Sequence, residues 1–423
     1  MRILLLGADG FIGRHLAFAF RAAGHEVIAS ARRTDRLEAM GFQVLAADLG
    51  DPATHDPVFW RSTLAGGTHV VNAAGLLTGT EAAFAAVHHD APAALYGAMD
   101  GGWGVLISAI GIDAHTPFAR WRRAGEAVAR AAGAVTILRP GLVLADTSYG
   151  GSSAVRAFAA SPLRRPLIGT GREPFNPIHA DDLAAIILAC LSAPPGPGPA
   201  NGGWEVGGPE VLSQDALSAL IRRWLGLRPT PPLHLPLPVA RWIGRIGDAL
   251  RIGPLSATAV DQLAVGVKAD PGPLLRALPI RPEAVSRFIF RRPAGTQDLW
   301  QARLFLLKPL IRLSLVVLWL VSGLLGIILP VADFPPALAG LPMPLLWAAA
   351  RLGGAADLLL AWLLLRNIAP RATAIAQIAL VGAYTIGLSV LAPSLWLAPF
   401  GELLKNLPLF VLLLTHLALC EER

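Results

Sequence analysis

The stretch Ile3-Leu4-Leu5-Leu6-Gly7-Ala8-Asp9-Gly10-Phe11-Ile12-Gly13 decides the first half of the fold. Four apolar residues predict a short buried strand. Glycines then recur at three-residue spacing before a helical pattern begins. A chain that reverses tightly and approaches a pyrophosphate needs glycine at such places. The helix that follows offers free N–H groups and a positive dipole end to the anion. Among 43 glycines the spacing alone says little. The strand before it, a helix over 13–23 closed by Gly24, and a second strand on cue make it specific.

Working outward, short apolar runs alternate with helical stretches through residue 140, the pattern of a parallel sheet with crossover helices. Strands are predicted at 3–6, 26–30, 43–46, 69–72, 104–108 and 135–139. Residues 145–176 are rich in Gly, Ser and Pro and read as loop with one helix. A helix follows over 181–192, stopped by the Pro/Gly run 193–199. A short strand at 204–206 and an amphipathic helix at 213–225 come next, then a proline-rich region with short helices to 293. The expected class is α/β: a Rossmann-type doubly wound parallel sheet with a small C-terminal lobe.

The last 120 or so residues have a different composition. The chain is 54% hydrophobic, with mean hydropathy +0.53, too high for an ordinary soluble protein. Four helices are predicted, over about 311–329, 345–365, 372–392 and 403–420. The first three come near the ~20 residues a bilayer core requires; the fourth is short and holds Pro408. The reading is therefore 1–293 as nucleotide-binding domain, 294–308 as amphipathic linker and 309–423 as an all-α four-helix transmembrane domain. Arg303, Lys308 and Arg312 precede the first span, and Arg366 and Arg371 bracket the second loop. The other loops carry only Asp333 and Glu402. By the positive-inside rule, the protein is multi-pass in the cytoplasmic (inner) membrane, with N-terminal domain and C-terminus cytoplasmic. Arg351 and Asp357 lie inside the second span, about 120° apart around the helix, so they do not pair with each other. Lys405 and His416 are their candidate partners. A structural ion pair, a quinone-headgroup contact and a proton path all remain open for them.

The net charge of +7 is scattered, without an aromatic–basic module, so nucleic acid is not an expected partner. Two distant cysteines imply no disulfide framework and no metal site. Met1-Arg2-Ile3 runs straight into a strand, which is not the pattern of a signal peptide. After the second strand come Arg32 and Arg33, where an NAD-preferring site usually has an acid. A guanidinium holds a 2′-phosphate by paired hydrogen bonds, favouring NADP(H) over NAD(H); otherwise both are solvated loop arginines.

The glycine motif resembles that of extended and atypical short-chain dehydrogenases, the NAD(P)-dependent epimerase/dehydratase-like group. Asp48-Leu49 is similar to the family's adenine-contacting pair, and Asn72-Ala73-Ala74-Gly75 to its loop after the fourth strand. Leu138-Arg139-Pro140-Gly141 resembles the segment passing the nicotinamide, and Pro177-Ile178-His179-Ala180-Asp181-Asp182-Leu183 a motif opening a late helix. The subfamily most resembled binds NADPH and includes the 39-kDa accessory subunit of respiratory complex I. The resemblance implies cofactor contacts at Gly7, Asp9, Gly10, Phe11, Ile12, Gly13, Arg32, Arg33, Asp48, Leu49, Ala73, Ala74, Gly75, Arg122 and Pro140. Leu358-Leu359-Leu360 after Asp357, and Leu404-Lys405-Asn406-Leu407-Pro408, resemble a DoxX-like four-helix membrane domain.

The family's reduction chemistry uses a Tyr as proton donor, a Lys four residues later and a Ser. Ser108 stands where the Ser is expected. Counting back from Glu126 puts Phe118 in the Tyr place and Arg122 in the Lys place. Phe has no proton to give. Tyr96 and Tyr149 are the other tyrosines of this domain, and Tyr149 is the stronger substitute, being in the loop after Gly141. His179 is read first as a hydrogen-bonding residue at a helix start. Two functions follow: a membrane-anchored NADP(H)-binding oxidoreductase passing hydride to a lipid-soluble acceptor such as a quinone, or a non-catalytic NADPH-binding assembly or sensor protein of a membrane complex.

Overall fold

The computed structural model describes the chain except residues 113–115, 200–201, 250–256, 331–341, 400 and 422–423. It contains two compact units, Met1–Gly244 with Pro254–Leu299, and Arg245–Gly253 with Trp300–Arg423.

In the first unit the strands are β1 (Arg2–Leu6), β2 (Glu26–Ala31), β3 (Gln43–Ala46), β4 (His69–Asn72), β5 (Gly104–Ile107), β6 (Val135–Pro140) and a last strand, Trp204–Val206. The last strand lies at one edge, and β6, β5, β4, β1, β2 and β3 follow across the sheet. Every neighbouring pair is parallel. Both faces of such a sheet are covered, so its strands are apolar throughout. The pleat then divides them. Ile3 and Leu5 pack with Leu16, Ala17 and Phe20 of the helix Phe11–Ala22. Leu4 and Leu6 face the other way, against Trp60, Leu64 and Leu95. The chain leaves β1 toward β2 on one side and β4 toward β5 on the other. A crevice therefore opens beyond the carboxyl ends of β1 and β4, where such sheets bind ligands.

The region 145–176 holds more than the one helix expected. Besides Gly151–Ala159 it forms the strands Arg165–Ile168 and Pro174–Phe175. The first pairs with Pro232–Leu235 and the second with Leu212–Ser213. Strands of two to four residues with distant partners carry no periodicity of their own, so local pattern does not reveal them.

The second unit is helical and contains most of Thr296–Ile328, with Met343–Leu365, Pro370–Leu391 and Asn406–Leu419. Residues 296–308, set apart as a linker by composition, are helical and continuous with the first apolar segment. Pro309 sits within that 33-residue helix. Proline removes one backbone hydrogen bond, and the strong helix formers on both sides carry the helix through. Three of the helices are long and apolar enough to cross a membrane; the fourth, Asn406–Leu419, is shorter. The first two helices touch at glycines: a Cβ on Gly354 would lie 2.8 Å from the Gly323 carbonyl oxygen. Small residues permit such close crossings where there is no water to drive association.

The charged residues of the second helix do not have the partners expected. Asp357 accepts hydrogen bonds from the Ser322 hydroxyl at 2.6 Å and the Tyr384 hydroxyl at 3.2 Å. Arg351 donates to the carbonyls of Gly326 at 2.7 Å and Leu329 at 3.2 Å, with its guanidinium 5.9 Å from the Trp347 ring centre. Among the described residues neither pairs with Lys405 or His416. The close glycine crossing brings the first helix's hydroxyl and carbonyls within reach instead.

Candidate functional site

The three glycines of the loop do different work. Gly7 has φ +71°, and a Cβ there would meet the Ala74 backbone at 2.9 Å. A Cβ on Gly13 would lie 2.0 Å from the Gly7 carbonyl oxygen, so Gly13 lets the helix close onto the strand. Gly10 has extended backbone, φ −73° and ψ 170°, and its absent side chain meets only the Gly7 oxygen at 3.2 Å. Space is thus left directly before the helix Phe11–Ala22, whose first turn carries no acid. Asp9 and Gly10 are exposed, and Phe11 and Ile12 half-buried. Free N–H groups at a helix start with room before them are suited to an anion.

The loop after β4 closes the other side. Ala73 N–H donates to the Leu6 carbonyl at 3.1 Å, and Ala74 N–H to the Asn72 side chain at 3.1 Å. Gly75 leaves room for Arg122: a Cβ there would lie 2.1 Å from an Arg122 guanidinium nitrogen. Arg122 comes from the helix Pro117–Ala131 and donates to the Ile107 carbonyl at 3.0 Å. Burial pulls its guanidinium down to about 10, so it stays charged at neutral pH. Among the described residues its Nε has no hydrogen-bond partner. Ser108, directly after β5, is buried, and its hydroxyl is likewise unpartnered. Two polar groups left open at the mouth of one crevice mark a place where a ligand can complete the pattern.

Phe118 is buried, with its ring centre 5.5 Å from the Arg122 guanidinium carbon. One turn on, Glu126 holds Arg139 of β6 by two hydrogen bonds, at 2.8 and 2.6 Å. Pro140 is buried at the end of β6. Arg32 and Arg33 are exposed just beyond β2. Asp48 is exposed, but its carboxylate accepts from Gly50 N–H at 2.9 Å. Leu49 is turned away, its side chain in the core against Trp60, so it offers a ligand only backbone.

The two other tyrosines of this domain differ in exposure. Tyr149 is 60% exposed. Tyr96 is buried, with its hydroxyl accepting from the Asn72 amide at 3.2 Å, and burial pushes its phenol up. His179 caps the helix Ala180–Ser192, its ring accepting from Asp181 N–H at 3.3 Å.

His88 was not singled out by its sequence. It lies on the single π-helical turn Ala86–Asp90, buried, and accepts a hydrogen bond from Leu76 N–H at 3.2 Å. With Asn72, Ala74, Leu106, Arg122 and Gly125 it lines a small cavity. The available signal was Gly125, an isolated glycine inside a helical pattern, which marks a close approach. A Cβ there would lie 2.5 Å from the His88 carbonyl oxygen.

Burial, and behind it the Arg122 charge, pulls the His88 imidazole down to about 3. In the unfolded chain it titrates near 6.5. Between those values the unfolded state binds the extra proton. The stability from the neutral ring is therefore complete above pH 6.5 and is lost as pH falls toward 3, at up to ~1.4 kcal/mol per pH unit. Melting of the detergent-solubilised protein should drop from pH 7 to 5, and His88→Gln should flatten that slope. Equal slopes would mean the ring is not held neutral.

Residues 3–98 match the NAD dependent epimerase/dehydratase family, and residues 316–414 the DoxX-like family. A curated relative is NADH dehydrogenase [ubiquinone] 1 alpha subcomplex subunit 9, mitochondrial, of Arabidopsis thaliana. It is 28% identical over 258 residues, 56% of this chain and 61% of its own length, so the match spans less than two thirds of that protein. A short-chain dehydrogenase/reductase superfamily protein from Agrobacterium tumefaciens with bound NAD superposes with TM-score 0.50 at 16% identity. That match covers 73% of this chain and 99% of the other. The dTDP-glucose 4,6-dehydratase of Streptomyces venezuelae with NAD bound gives TM-score 0.50 at 18% identity over 69% and 96%. At these identities the structural likeness speaks for the fold. The chain thus joins an epimerase/dehydratase-like Rossmann domain to a DoxX-like helical domain.

Proposed function

We propose that this protein is a membrane-anchored, NADP(H)-binding oxidoreductase whose N-terminal domain serves a lipid-soluble acceptor such as a quinone. The observation that carries the reading is the combination, in one chain, of the open cradle at Gly10 with helices long enough to cross a bilayer. The Arabidopsis relative, whose name includes ubiquinone, supports the acceptor class. The residues present fit a dinucleotide: the N-terminus of Phe11–Ala22 would hold the pyrophosphate, Arg122 and the Ala73–Gly75 backbone the nicotinamide-side ribose, and Arg32 and Arg33 a 2′-phosphate. Bound there, the nicotinamide supplies a hydride. The Ser108 hydroxyl, free of other partners, orients an acceptor oxygen. Phe118 donates no proton, so reduction of a quinone to a quinol, which takes the hydride and one proton, draws that proton from solvent. Loop charges support a cytoplasmic N-terminal domain and C-terminus, and the domain limits remain 1–293, 294–308 and 309–423.

The test is NADPH oxidation by the purified protein with a short-chain quinone. Phe118→Ala should leave the rate within about tenfold, because no proton transfer worth ~10²–10⁴ is removed. Phe118→Tyr, beside Arg122, should add carbonyl-reductase activity. Brisk reduction of ordinary aldehydes by the native protein would overturn this assignment. Tight NADPH binding without quinone turnover would instead establish the second reading, a non-catalytic NADPH-binding subunit of a membrane complex, which Phe118 in the Tyr place favours.

A further inference from the structure

The helix Leu237–Ala249 has three distinct sectors. At about 100° per residue, Ala240, Gly244 and Gly247 fall on one side, and all three are buried. Val239, Trp242, Ile243 and Ile246 span the next sector, roughly 100° wide. Val239 is 45% exposed, Trp242 63% and Ile243 38%. Arg241 and Arg245 occupy the third and are exposed. Arg241 reaches Asp261 at 2.7 Å, Asp248 is exposed in the same sector, and among the described residues Arg245 forms no ion pair. With small residues on its buried side, this helix turns a tryptophan and branched aliphatic side chains outward, where burying them would have stabilised the fold.

We infer that this helix lies in the headgroup region of an anionic bilayer. An exposed apolar stripe edged by tryptophan and arginine is the composition of an interfacial helix: the aliphatic side chains enter the acyl boundary, the indole sits at the headgroups, and the guanidinium meets lipid phosphate. A bilayer is the apolar phase this chain carries with it, since its own C-terminal helices are long and apolar enough to cross one. The inference rests on that membrane reading and not on the nucleotide chemistry, so it stands or falls separately from quinone reduction. The helix runs from the first compact unit, which ends this stretch at Gly244, into residues 245–249 of the second, and it gives the chain a lipid contact besides its membrane-length helices.

The experiment uses the full chain in proteoliposomes of phosphatidylcholine with about a third phosphatidylglycerol, Cys190 and Cys420 having been replaced by alanine. An environment-sensitive fluorophore is attached at Val239→Cys or at Arg245→Cys, and thermal melting followed by circular dichroism checks that each variant is folded. Lipid-borne nitroxide should quench the label at position 239 at least about twofold more than that at 245, with blue-shifted emission. Adding Arg245→Glu to the position-239 variant should reduce that quenching in the mixed vesicles and leave it unchanged in pure phosphatidylcholine. Equal quenching at the two positions would overturn the proposal. So would a position-239 label shielded from both lipid-borne and aqueous quenchers, which would place a protein surface there instead.

Discussion

Gly13→Ala should destabilise the N-terminal domain by about 3 kcal/mol or more, beyond the usual range for overpacking a core. The added Cβ would lie 2.0 Å from the Gly7 carbonyl oxygen, a backbone atom that cannot swing aside. Either the helix Phe11–Ala22 lifts from the sheet or β1 shifts, and both disturb the packing of Leu16 and Phe20. Gly10→Val separates folding from binding. The Gly10 backbone is extended and suits any residue, and its Cβ meets one oxygen at 3.2 Å. That domain should fold, yet its valine would occupy the pyrophosphate's place, so nucleotide affinity should fall about a hundredfold or more, ~3 kcal/mol. Thermal melting and fluorescence titration read the two effects. Wild-type melting of Gly13→Ala would refute the close contact, and wild-type affinity in Gly10→Val would mean that the pyrophosphate lies elsewhere.

The second large effect concerns the choice of nucleotide. Arg32 and Arg33 stand exposed after β2, and no ion pair is formed by either among the described residues. Two free guanidinium groups where an acid would hold a ribose hydroxyl suit a phosphate. NADPH should therefore bind at least about tenfold more tightly than NADH, since a charge-assisted hydrogen bond contributes ~1.5–3 kcal/mol. Changing both arginines to alanine should erase most of the difference by weakening NADPH alone. The preference should also shrink with added salt, because both groups are solvent-exposed. Equal wild-type affinities would return both arginines to ordinary solvated residues.

Much of the candidate site was legible because it is local. A left-handed residue at Gly7, with φ +71°, and close backbone approaches at Gly7 and Gly13 require glycine whatever surrounds them. Ser108 and Arg122 were placed by the family resemblance, and the structure brings Arg122 against Gly75 and the end of β5. Leu49 was legible as a motif position but not as a direction: adjacent residues of an extended segment face opposite ways, and the core claimed its side chain.

What the chain determines by itself is the kind of each element: parallel strands from apolar runs, the cradle from its glycines, membrane-length helices from hydropathy. Those depend on backbone geometry and on solvent. The tertiary structure alone decided partners. Asp357 took a hydroxyl from Ser322, 35 residues away, because a glycine crossing brought the first two helices together, and another from Tyr384, 27 residues away on the third helix, whose hydroxyl lies where Gly353 has no side chain. His88 came under Arg122 because Gly125 let two helices touch. A hydrogen bond between distant residues is specified by where two elements pack, and that depends on the volume of every side chain between them rather than on either residue's neighbours in sequence.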